Sequence, residues 1–319
     1  MLQSKQEIFM PQWLTKEILP GIIFKRPEIT ELQNETYQKN NIQVYLLRLD
    51  EIHPVISGNK LFKLYYFLEE AKNNPGKKII TFGGAYSNHL AATAFACKEM
   101  NIPCIGIIRG EKPEILSPTL LFCLRQGMQL EYISRKGYRK IIGKEFLDEL
   151  KTTHVDSIII PEGGFSIKGK EGASLICELF NDKKFTHVCL PVGTATTFAG
   201  IIDSNKNESE IIGFGVLKNF TDIAFRLQQL KISPHQKYKF NNDYHFGGYA
   251  KKTNELISFM NSFYIQHRIP LDFVYTAKMM YGVNDLIQKK YFTPGAKILC
   301  IHTGGLQGNN SLPEGTLVY

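Results

Sequence analysis

Residues 78–90 read KIITFGGAYSNHL, a short apolar run followed by two glycines, a polar triplet and the start of a helix-like stretch. An apolar run of this length that ends in glycines is typical of a buried β-strand, and Ser87 or Asn88 can cap the helix that follows. A strand that leads directly into a helix is the unit from which parallel α/β sheets are built. The stretch therefore predicts an α/β fold.

The same alternation of short apolar runs and longer stretches of helical period continues along the chain. Nearly continuous apolar runs such as Ile105–Ile108 favour strands that are covered on both faces. The predicted strands are Gln43–Leu49, Lys78–Phe82, Cys104–Ile108, Gln129–Ile133, Ser157–Ile160, Val188–Pro191, Ile211–Leu217 and Ile298–His302. The predicted helices are Lys60–Lys72, Asn88–Met100, Pro118–Gln126, Arg139–Thr152, Gly169–Asn181, Thr197–Asp203, Thr221–Leu230, Asn254–Arg268 and Ala277–Lys289. The pattern predicts two open, doubly wound layers.

The composition is that of an ordinary globular protein. The chain has 319 residues, of which 43% are hydrophobic and 21% charged, and at roughly 150 residues per domain this length favours two domains. Its formal charge is +8, from 38 Lys and Arg against 30 Asp and Glu. The basic residues are dispersed or stand in pairs such as Lys77-Lys78, which is typical of a solvated surface. We therefore expect no nucleic-acid partner.

The cysteines and the N-terminal segment indicate where the protein works. Six cysteines lie in apolar stretches without a C-x-x-C pair, which favours buried, reduced thiols and excludes a typical zinc or redox motif. The first 20 residues lack the continuous apolar core of a signal peptide, and no later stretch has the apolar length of a membrane helix. We expect a cytoplasmic protein with no membrane partner and no metal.

Lys60 is the first candidate for chemistry, because the turn Ser57-Gly58-Asn59 places it in the first turn of a predicted helix. The positive end of a helix dipole and partial burial both lower the pKa of an ammonium group, and a neutral lysine amine can form a Schiff base. The alternative is a surface lysine that follows a helix cap. Lys63, one helical turn later, is predicted to be a solvated or structural cation rather than a second base.

Two strand-to-helix turns have the composition of ligand sites. At Ser87-Asn88-His89 a helix N-terminus offers free backbone N–H groups at the carboxyl edge of a strand, where open α/β sheets bind ligands. The alternative there is a plain helix cap with His89 on the surface. Gly193-Thr194-Ala195-Thr196-Thr197 again joins a strand to a helix, and its N–H groups and hydroxyls can hold a phosphate. The segment matches neither a Walker A loop nor the dinucleotide-binding G-x-G-x-x-G.

Together with Val274–Met279 and Ile301–Gly305, these motifs occur in an order that resembles one family. From about Phe24 to the C-terminus the chain resembles the 1-aminocyclopropane-1-carboxylate deaminase and D-cysteine desulfhydrase family. Its members are pyridoxal-phosphate enzymes of the tryptophan synthase β-like fold, also called fold type II. The resemblance implies pyridoxal 5'-phosphate as cofactor, a small amino acid as substrate, and a homodimer.

The resemblance also implies domains and residue roles. A small α/β domain, residues 61–162, would be inserted into a large cofactor-binding domain made of residues 1–60 and 163–319. The implied catalytic residues are Lys60, Ser87 and Tyr275. Cofactor binding is implied for Lys60, Asn88, Gly193, Thr194, Ala195, Thr196, Thr197, Thr276 and Thr303, where Thr276 or Thr303 would face the pyridine nitrogen. Substrate binding is implied for Ser87, Asn88, His89, Gly164 and Tyr275. The aromatic run Tyr244–Tyr249 resembles a family loop and is predicted either to close over the site or to pack as a plain turn.

Three positions depart from the family pattern. Deaminases that open the cyclopropane ring carry a glutamate where this chain has Thr276, and a neutral hydroxyl cannot stabilise a protonated pyridine ring. Glu162 replaces a small or apolar residue and is either a solvated loop carboxylate or a substrate contact. Arg48 and Asp50 replace the usual charged pair of the first strand. We predict a D-cysteine desulfhydrase; the alternatives are a 1-aminocyclopropane-1-carboxylate deaminase and a cofactor-binding protein without efficient turnover.

Overall fold

The computed structural model describes residues 18–141, 150 and 152–319. In chain order the strands are β1 (Ile29–Leu32), β2 (Gln43–Arg48), β3 (Lys78–Gly83), β4 (Cys104–Arg109), β5 (Gln129–Ile133), β6 (Ser157–Ile160), β7 (His187–Val192), β8 (Glu210–Gly215), β9 (Tyr238–Asn241) and β10 (Lys297–His302). The helices are α1 (Glu35–Lys39), α2 (Asn59–Lys72), α3 (Asn88–Glu99), α4 (Pro118–Arg125), α5 (Arg135–Ile141), α6 (Ile167–Ser174), α7 (Thr196–Ser204), α8 (Ile223–Gln229), α9 (Asn254–His267) and α10 (Thr276–Gln288). Short 3₁₀ turns include Glu162–Gly164 and Leu175–Leu179.

The strands form two sheets that differ in size and in how they use the chain. The larger sheet has six strands in the order β1-β2-β10-β7-β8-β9, and its pairs are parallel except for the antiparallel pair β1–β2. The smaller sheet has four parallel strands in the order β5-β4-β3-β6. Parallel strands joined by helices give an α/β architecture, as the sequence predicts.

All four strands of the smaller sheet come from one continuous part of the chain, residues 78–160, whereas the larger sheet combines strands from both sides of it. Residues 78–160 lie inside the predicted small domain, although the boundaries at residues 60/61 and 162/163 stay a prediction. The buried core passes from one sheet to the other: Ile79 and Ile158 of the smaller sheet share one apolar cluster with Val188 and Leu299 of the larger.

Helix α2 lies in this shared core and packs closely on α6. Leu61, Phe62 and Leu64 are buried within it. At the crossing with α6, a Cβ atom on Gly172 would lie 2.1 Å from the carbonyl oxygen of Phe62, so the backbones can approach this closely only because residue 172 is glycine. The crossing fixes the N-terminal turn of α2, which carries Lys60, against α6.

The predicted strands all occur, with ends that differ by no more than two residues. The sequence analysis missed α1 and the two edge strands β1 and β9, which are only four or five residues long. The predicted helix Gly169–Asn181 is instead α6 followed by a 3₁₀ turn, and most of the predicted helix Arg139–Thr152 lies outside the described residues. Within the described part of the chain, no helix is both long and apolar enough to cross a membrane.

Candidate active site

A cavity of about 270 Å³ lies where the carboxyl ends of strands from both sheets face each other. Open α/β sheets bind ligands at this edge. Most of the site residues implied by the family resemblance line it: Lys60, Ser87, Asn88, His89, Gly193, Thr194, Ala195, Thr196, Thr197, Tyr275 and Thr303. Gly164 and Thr276 are not among the lining residues, although Gly163 is. The fold thus brings distant motifs to one cavity.

Lys60 lies in the first turn of α2 with its ammonium group in the cavity wall. Its Nζ donates a hydrogen bond to the Asn59 side-chain oxygen, and the Asn59 amide in turn donates to Thr197 Oγ1 at 2.8 Å. Burial lowers the pKa of Lys60 from its ordinary 10.5 to about 8, and the negative charge of Asp272 opposes this shift. Roughly a fifth of Lys60 is then neutral near physiological pH, far more than of an ordinary lysine, and the neutral amine is the form in which a lysine acts as a nucleophile.

Lys63 is not a solvated cation. It is buried, lines the cavity, and donates from Nζ to the carbonyl oxygen of Gly163 at 2.6 Å. Burial, with the nearby charge of Lys60, holds the pKa of Lys63 well below its ordinary value. The contact agrees with the structural role that was the alternative prediction, because the hydrogen bond from Lys63 connects α2 to the turn Glu162–Gly164 that follows β6.

The Gly193–Thr197 segment forms a cradle between β7 and α7. Ala195 has a left-handed backbone (φ 70°) that turns the chain into the helix, and the hydroxyls of Thr194 and Thr196 are hydrogen-bonded to each other at 2.9 Å. The first N–H groups of a helix have no partner within the helix, and its dipole favours an anion there. The cradle thus has the donors that a phosphate group needs.

Ser87 and Asn88 begin α3 on the opposite side of the cavity. Ser87 is the N-cap residue, and its Oγ accepts from the backbone N–H of Leu90 at 3.3 Å. The Ser87 hydroxyl can donate to a ligand at the same time. Asn88 donates from Nδ2 to the carbonyl oxygen of Gly305 at 2.8 Å, which leaves its buried Oδ1 without a partner among the described residues. The cap and the ligand interpretations of this motif are therefore compatible.

His89 is buried in the cavity wall, so the expectation that it could lie on the surface is wrong. Its Nε2 is 2.9 Å from Thr81 Oγ1, and the single hydroxyl proton of Thr81 goes to the carbonyl oxygen of Ile160 at 3.0 Å. Nε2 must then carry the proton and donate to Thr81, which makes Nδ1 an acceptor; Nδ1 has no partner among the described residues. Burial lowers the pKa of His89 well below its ordinary value, so the ring is neutral.

Tyr275 forms the wall next to the phosphate cradle. A Cβ atom on Gly193 would lie 3.0 Å from the Tyr275 ring, so the glycine lets the tyrosine approach the cradle. Burial holds the pKa of Tyr275 well above its ordinary value, which keeps the hydroxyl protonated. Tyr249 packs edge-on against it with ring centroids 6.1 Å apart. Lys278 holds the Tyr249 loop in place, because its Nζ donates to the carbonyl oxygens of His245 and Gly248 at 2.9 and 2.7 Å.

Thr276 and Thr303 have different surroundings. Thr276 is fully buried and donates its hydroxyl to Asp272 Oδ2 at 2.7 Å, whereas Thr303 lines the cavity. The sequence analysis missed Asp272, a buried carboxylate that also accepts the backbone N–H groups of Val274, Tyr275 and Thr276 at 2.7–3.0 Å. An acidic residue shortly before a predicted helix start is favoured by the helix dipole, and this is the signal that could have revealed Asp272.

Glu162 is not a solvated loop carboxylate, since it is half-buried and lines the cavity. Burial raises its pKa, against the attraction of Arg109. Arg109, at the carboxyl end of β4, also lines the cavity; its place at a strand end is the signal that could have identified it.

Arg48 and Asp50 lie outside the lining and form a bidentate ion pair at 2.7–3.2 Å, so their departure from the family pattern is structural.

These residues fit pyridoxal phosphate. Lys60 can bind its aldehyde carbon, the Gly193–Thr197 cradle its phosphate, and the unpartnered amide oxygen of Asn88 its ring hydroxyl. Of the two threonines implied for the ring nitrogen, Thr303 has its hydroxyl in the cavity lining, whereas the hydroxyl of Thr276 is bound to Asp272. The cavity lining therefore offers a suitable group for each polar part of the cofactor.

Comparisons with known proteins agree with this site. A family profile described as "Pyridoxal-phosphate dependent enzyme" matches residues 28–304. A Pyrococcus abyssi protein provisionally named 1-aminocyclopropane-1-carboxylate deaminase is 30% identical over 288 residues, 84% of this chain and 86% of that protein. The mitochondrial bifunctional D-cysteine desulfhydrase/1-aminocyclopropane-1-carboxylate deaminase of Arabidopsis thaliana is 30% identical over 84% of this chain and 74% of its own length.

A solved structure confirms the predicted fold. The crystal structure of an ACC deaminase homologue superposes with a TM-score of 0.76 at 25% identity and covers 94% of this chain and 97% of its own. The predicted family, cofactor and fold type II architecture are therefore confirmed, and the protein is a pyridoxal-phosphate-dependent lyase or deaminase. The chain belongs to the pyridoxal-phosphate-dependent enzymes, in the family of 1-aminocyclopropane-1-carboxylate deaminase and D-cysteine desulfhydrase.

Proposed function

We propose that the protein catalyses β-elimination from a small α-amino acid, with D-cysteine as the preferred substrate. Cysteine and water are converted to pyruvate, hydrogen sulfide and ammonia: the Cα–H and Cβ–S bonds break, and the amine is finally replaced by oxygen from water. Pyridoxal phosphate, when bound, supplies the electron sink that stabilises the charge left at Cα. The observation that carries the proposal is Thr276, a neutral hydroxyl bound to Asp272, at the position where ring-opening relatives are expected to carry a glutamate.

The chain's own residues have distinct proposed roles. Lys60 holds the cofactor and, when released from it, accepts the Cα proton at its neutral Nζ; its lowered pKa supports this role. Ser87 and the N-terminus of α3 bind the substrate carboxylate, since helix N-termini favour anions. Tyr275 and Tyr249 cover the cavity, and the protonated Tyr275 hydroxyl donates a hydrogen bond to the substrate.

The preference for elimination over ring opening follows from charge. A carboxylate next to the pyridine nitrogen would keep the ring protonated and make it a stronger electron sink. Thr276 stands where ring-opening relatives are expected to carry that carboxylate, and its hydroxyl is bound to Asp272. Thiol departure from Cβ is less demanding than cleavage of a carbon–carbon bond, so a neutral partner suffices.

The test is a substrate screen on the protein loaded with pyridoxal phosphate. D-cysteine, L-cysteine, D-serine and 1-aminocyclopropane-1-carboxylate are incubated separately, and sulfide and 2-oxo acids are measured. We expect sulfide and pyruvate from D-cysteine at the highest rate. Production of 2-oxobutanoate from the cyclopropane substrate at a higher rate would replace our proposal with the deaminase activity, and no product from any substrate would indicate binding without turnover.

Lys60→Ala tests the role of this lysine, and Lys98→Ala is its matched control, because Lys98 is exposed on α3 away from the cavity. Borohydride reduction followed by peptide mapping should label Lys60 in the wild type and in Lys98→Ala. Lys60→Ala should lose both the label and turnover. Retained label and activity in Lys60→Ala would contradict the role of this lysine.

We also propose a reducing compartment, such as the cytoplasm, as the place of action. All six cysteines are buried and free. Free thiols persist where the surroundings keep them reduced. A homodimer remains a proposal by family analogy alone.

A further inference from the structure

Glu162 occupies a position that the proposed reaction does not explain. It begins the turn Glu162–Gly164, whose backbone is held by the hydrogen bond from Lys63 to Gly163 and by one from the Gly164 N–H to the Pro161 carbonyl oxygen at 2.8 Å. The carboxylate is half-buried in the cavity wall, beside the Tyr138 hydroxyl and within reach of the charges of Arg109 and Arg226. Burial raises the pKa of Glu162 despite these neighbours, so they do not fully offset its lost hydration, and the position favours a ligand that supplies a further donor.

Arg109 also lines this wall and attracts Glu162, but its guanidinium contacts two aromatic rings. Its guanidinium carbon lies 5.8 Å from the ring centroids of both Tyr138 and Tyr249. A methyl group placed on Gly84 would be 3.5 Å from the guanidinium, so Arg109 stands above the turn that leads to Ser87. Arg109 is exposed, so water screens its charge, whereas Glu162 is more strongly desolvated.

The cavity has room beyond Glu162. A second cavity of about 460 Å³ meets the first at three shared residues: Glu162, Thr194 and Arg226. Arg226 is already paired with Asp222 at 2.9 Å. A substrate bound with its carboxylate at Ser87 therefore has space to extend its side chain toward Glu162.

We infer that Glu162 is a specificity-determining residue that selects amino-acid substrates whose β-substituent carries a protonated amine. The inference rests on the proposed action on a small amino acid and adds a subsite for the far end of the side chain. The fixed turn presents the carboxylate, and an ammonium group there gains a charge-assisted hydrogen bond. A neutral substituent gains nothing from Glu162, and an anionic one is repelled.

The test measures binding of three amino acids of similar length that lack a good leaving group: 2,4-diaminobutyrate, norvaline and aspartate, each as both enantiomers. The visible absorbance of the loaded protein reports Kd, and the thermal midpoint of the protein gives a second readout that needs no chromophore. We expect 2,4-diaminobutyrate to bind about tenfold more tightly than norvaline, and aspartate most weakly. In Glu162→Gln the preference for the diamine over norvaline should fall to about twofold or less.

Two further variants make the outcome decisive. Glu178→Gln removes an exposed carboxylate that does not line the cavity and should keep the wild-type ratio of Kd values. Arg109→Gln removes the opposing cation and should increase the preference for the diamine. A wild-type preference for aspartate that Arg109→Gln abolishes would assign the subsite to Arg109 and overturn the inference, as would equal binding of the diamine and norvaline.

The same preparations separate this inference from the proposed function. Preferential diamine binding by a protein that does not turn over cysteine would support the subsite and contradict β-elimination. Turnover of D-cysteine without a preference for the diamine would support β-elimination and contradict the subsite. Elimination of ammonia from Cβ of 2,3-diaminopropionate would support both the β-elimination and the diamine preference, since this substrate carries an ammonium group on Cα and another on Cβ.

Discussion

The lowered pKa of Lys60 sets the pH at which the apoprotein can capture its cofactor. Only the neutral amine attacks an aldehyde, and burial brings the pKa of Lys60 from 10.5 to about 8. We expect the rate of cofactor uptake to rise with pH up to about 8 and then to level off. Stopped-flow absorbance after mixing apoprotein with pyridoxal phosphate measures this, with free Nα-acetyl-lysine as reference. A rate that keeps rising toward pH 10 would show that Lys60 behaves as an exposed lysine.

Substitutions of Thr303 and Thr276 should have different effects, because we expect Thr303 to contact the cofactor and Thr276 to support the structure. Thr303→Val removes a hydroxyl from the cavity wall, and we expect a shifted absorption maximum of the bound cofactor and about five- to tenfold slower elimination. Thr276→Val removes the donor at 2.7 Å from the buried Asp272, and we expect a loss of about 1–3 kcal/mol in the free energy of unfolding with the absorption maximum unchanged. Absorption spectra and denaturant unfolding of both variants test this. A shifted absorption maximum in Thr276→Val and a loss of stability in Thr303→Val would reverse the two roles.

The site residues that could be predicted are those in strand-to-helix turns, where a glycine and a cap signal mark the position, as at Ser87 and Gly193. The residues that could not be predicted act across long sequence distances. Lys63 reads as a surface cation because its partner, the carbonyl of Gly163, is 100 residues away. Glu162 reads as a solvated carboxylate for the same reason: the groups that act on it, Tyr138, Arg109 and Arg226, are distant in sequence.

The crossing of α2 and α6 transmits a distant substitution to the active site. Gly172→Ala would place a methyl group 2.1 Å from the Phe62 carbonyl oxygen, which requires the two helix backbones to separate. We expect a loss of about 2–4 kcal/mol in the free energy of unfolding and weaker cofactor binding, because Lys60 and Lys63 are on α2. Gly295→Ala is the control: it has open space around it and a positive φ of 88°, so it should cost about 1 kcal/mol of backbone strain and leave cofactor affinity unchanged. Equal effects of the two would contradict the close crossing.

Buried strands and long helices were predictable because their apolar period is strong over many residues. The edge strands β1 and β9 were not, because they are four residues long and half-exposed, so their hydrogen bonds to a neighbouring strand define them rather than their own sequence. The predicted helix Gly169–Asn181 divides into α6 and a 3₁₀ turn where α6 packs closely on α2 and α7, and local propensity does not encode such contacts.

Because the cavity walls come from both sheets, the cofactor should hold the two halves of the protein together. A ligand at about 100 times its Kd adds about 2.7 kcal/mol to the free energy of unfolding. For a chain of this length we expect the thermal midpoint to rise by about 5 °C when the apoprotein is loaded with pyridoxal phosphate. Differential scanning calorimetry measures the shift, and Lys60→Ala should lose most of it. Identical midpoints with and without the cofactor would contradict a site shared between the sheets.

The position of β10 in the larger sheet also bears on how the chain is made. β10 lies between β2 and β7 at the centre of the sheet, yet of the described strands it is the last to be synthesised. The smaller sheet has all its strands within residues 78–160 and can assemble during synthesis, while β2 and β7 wait with unpaired edges. A nascent chain stalled before residue 297 therefore exposes two apolar strand edges to other chains. We therefore expect the need for chaperones during translation to grow with the interval between the synthesis of β7 and that of β10.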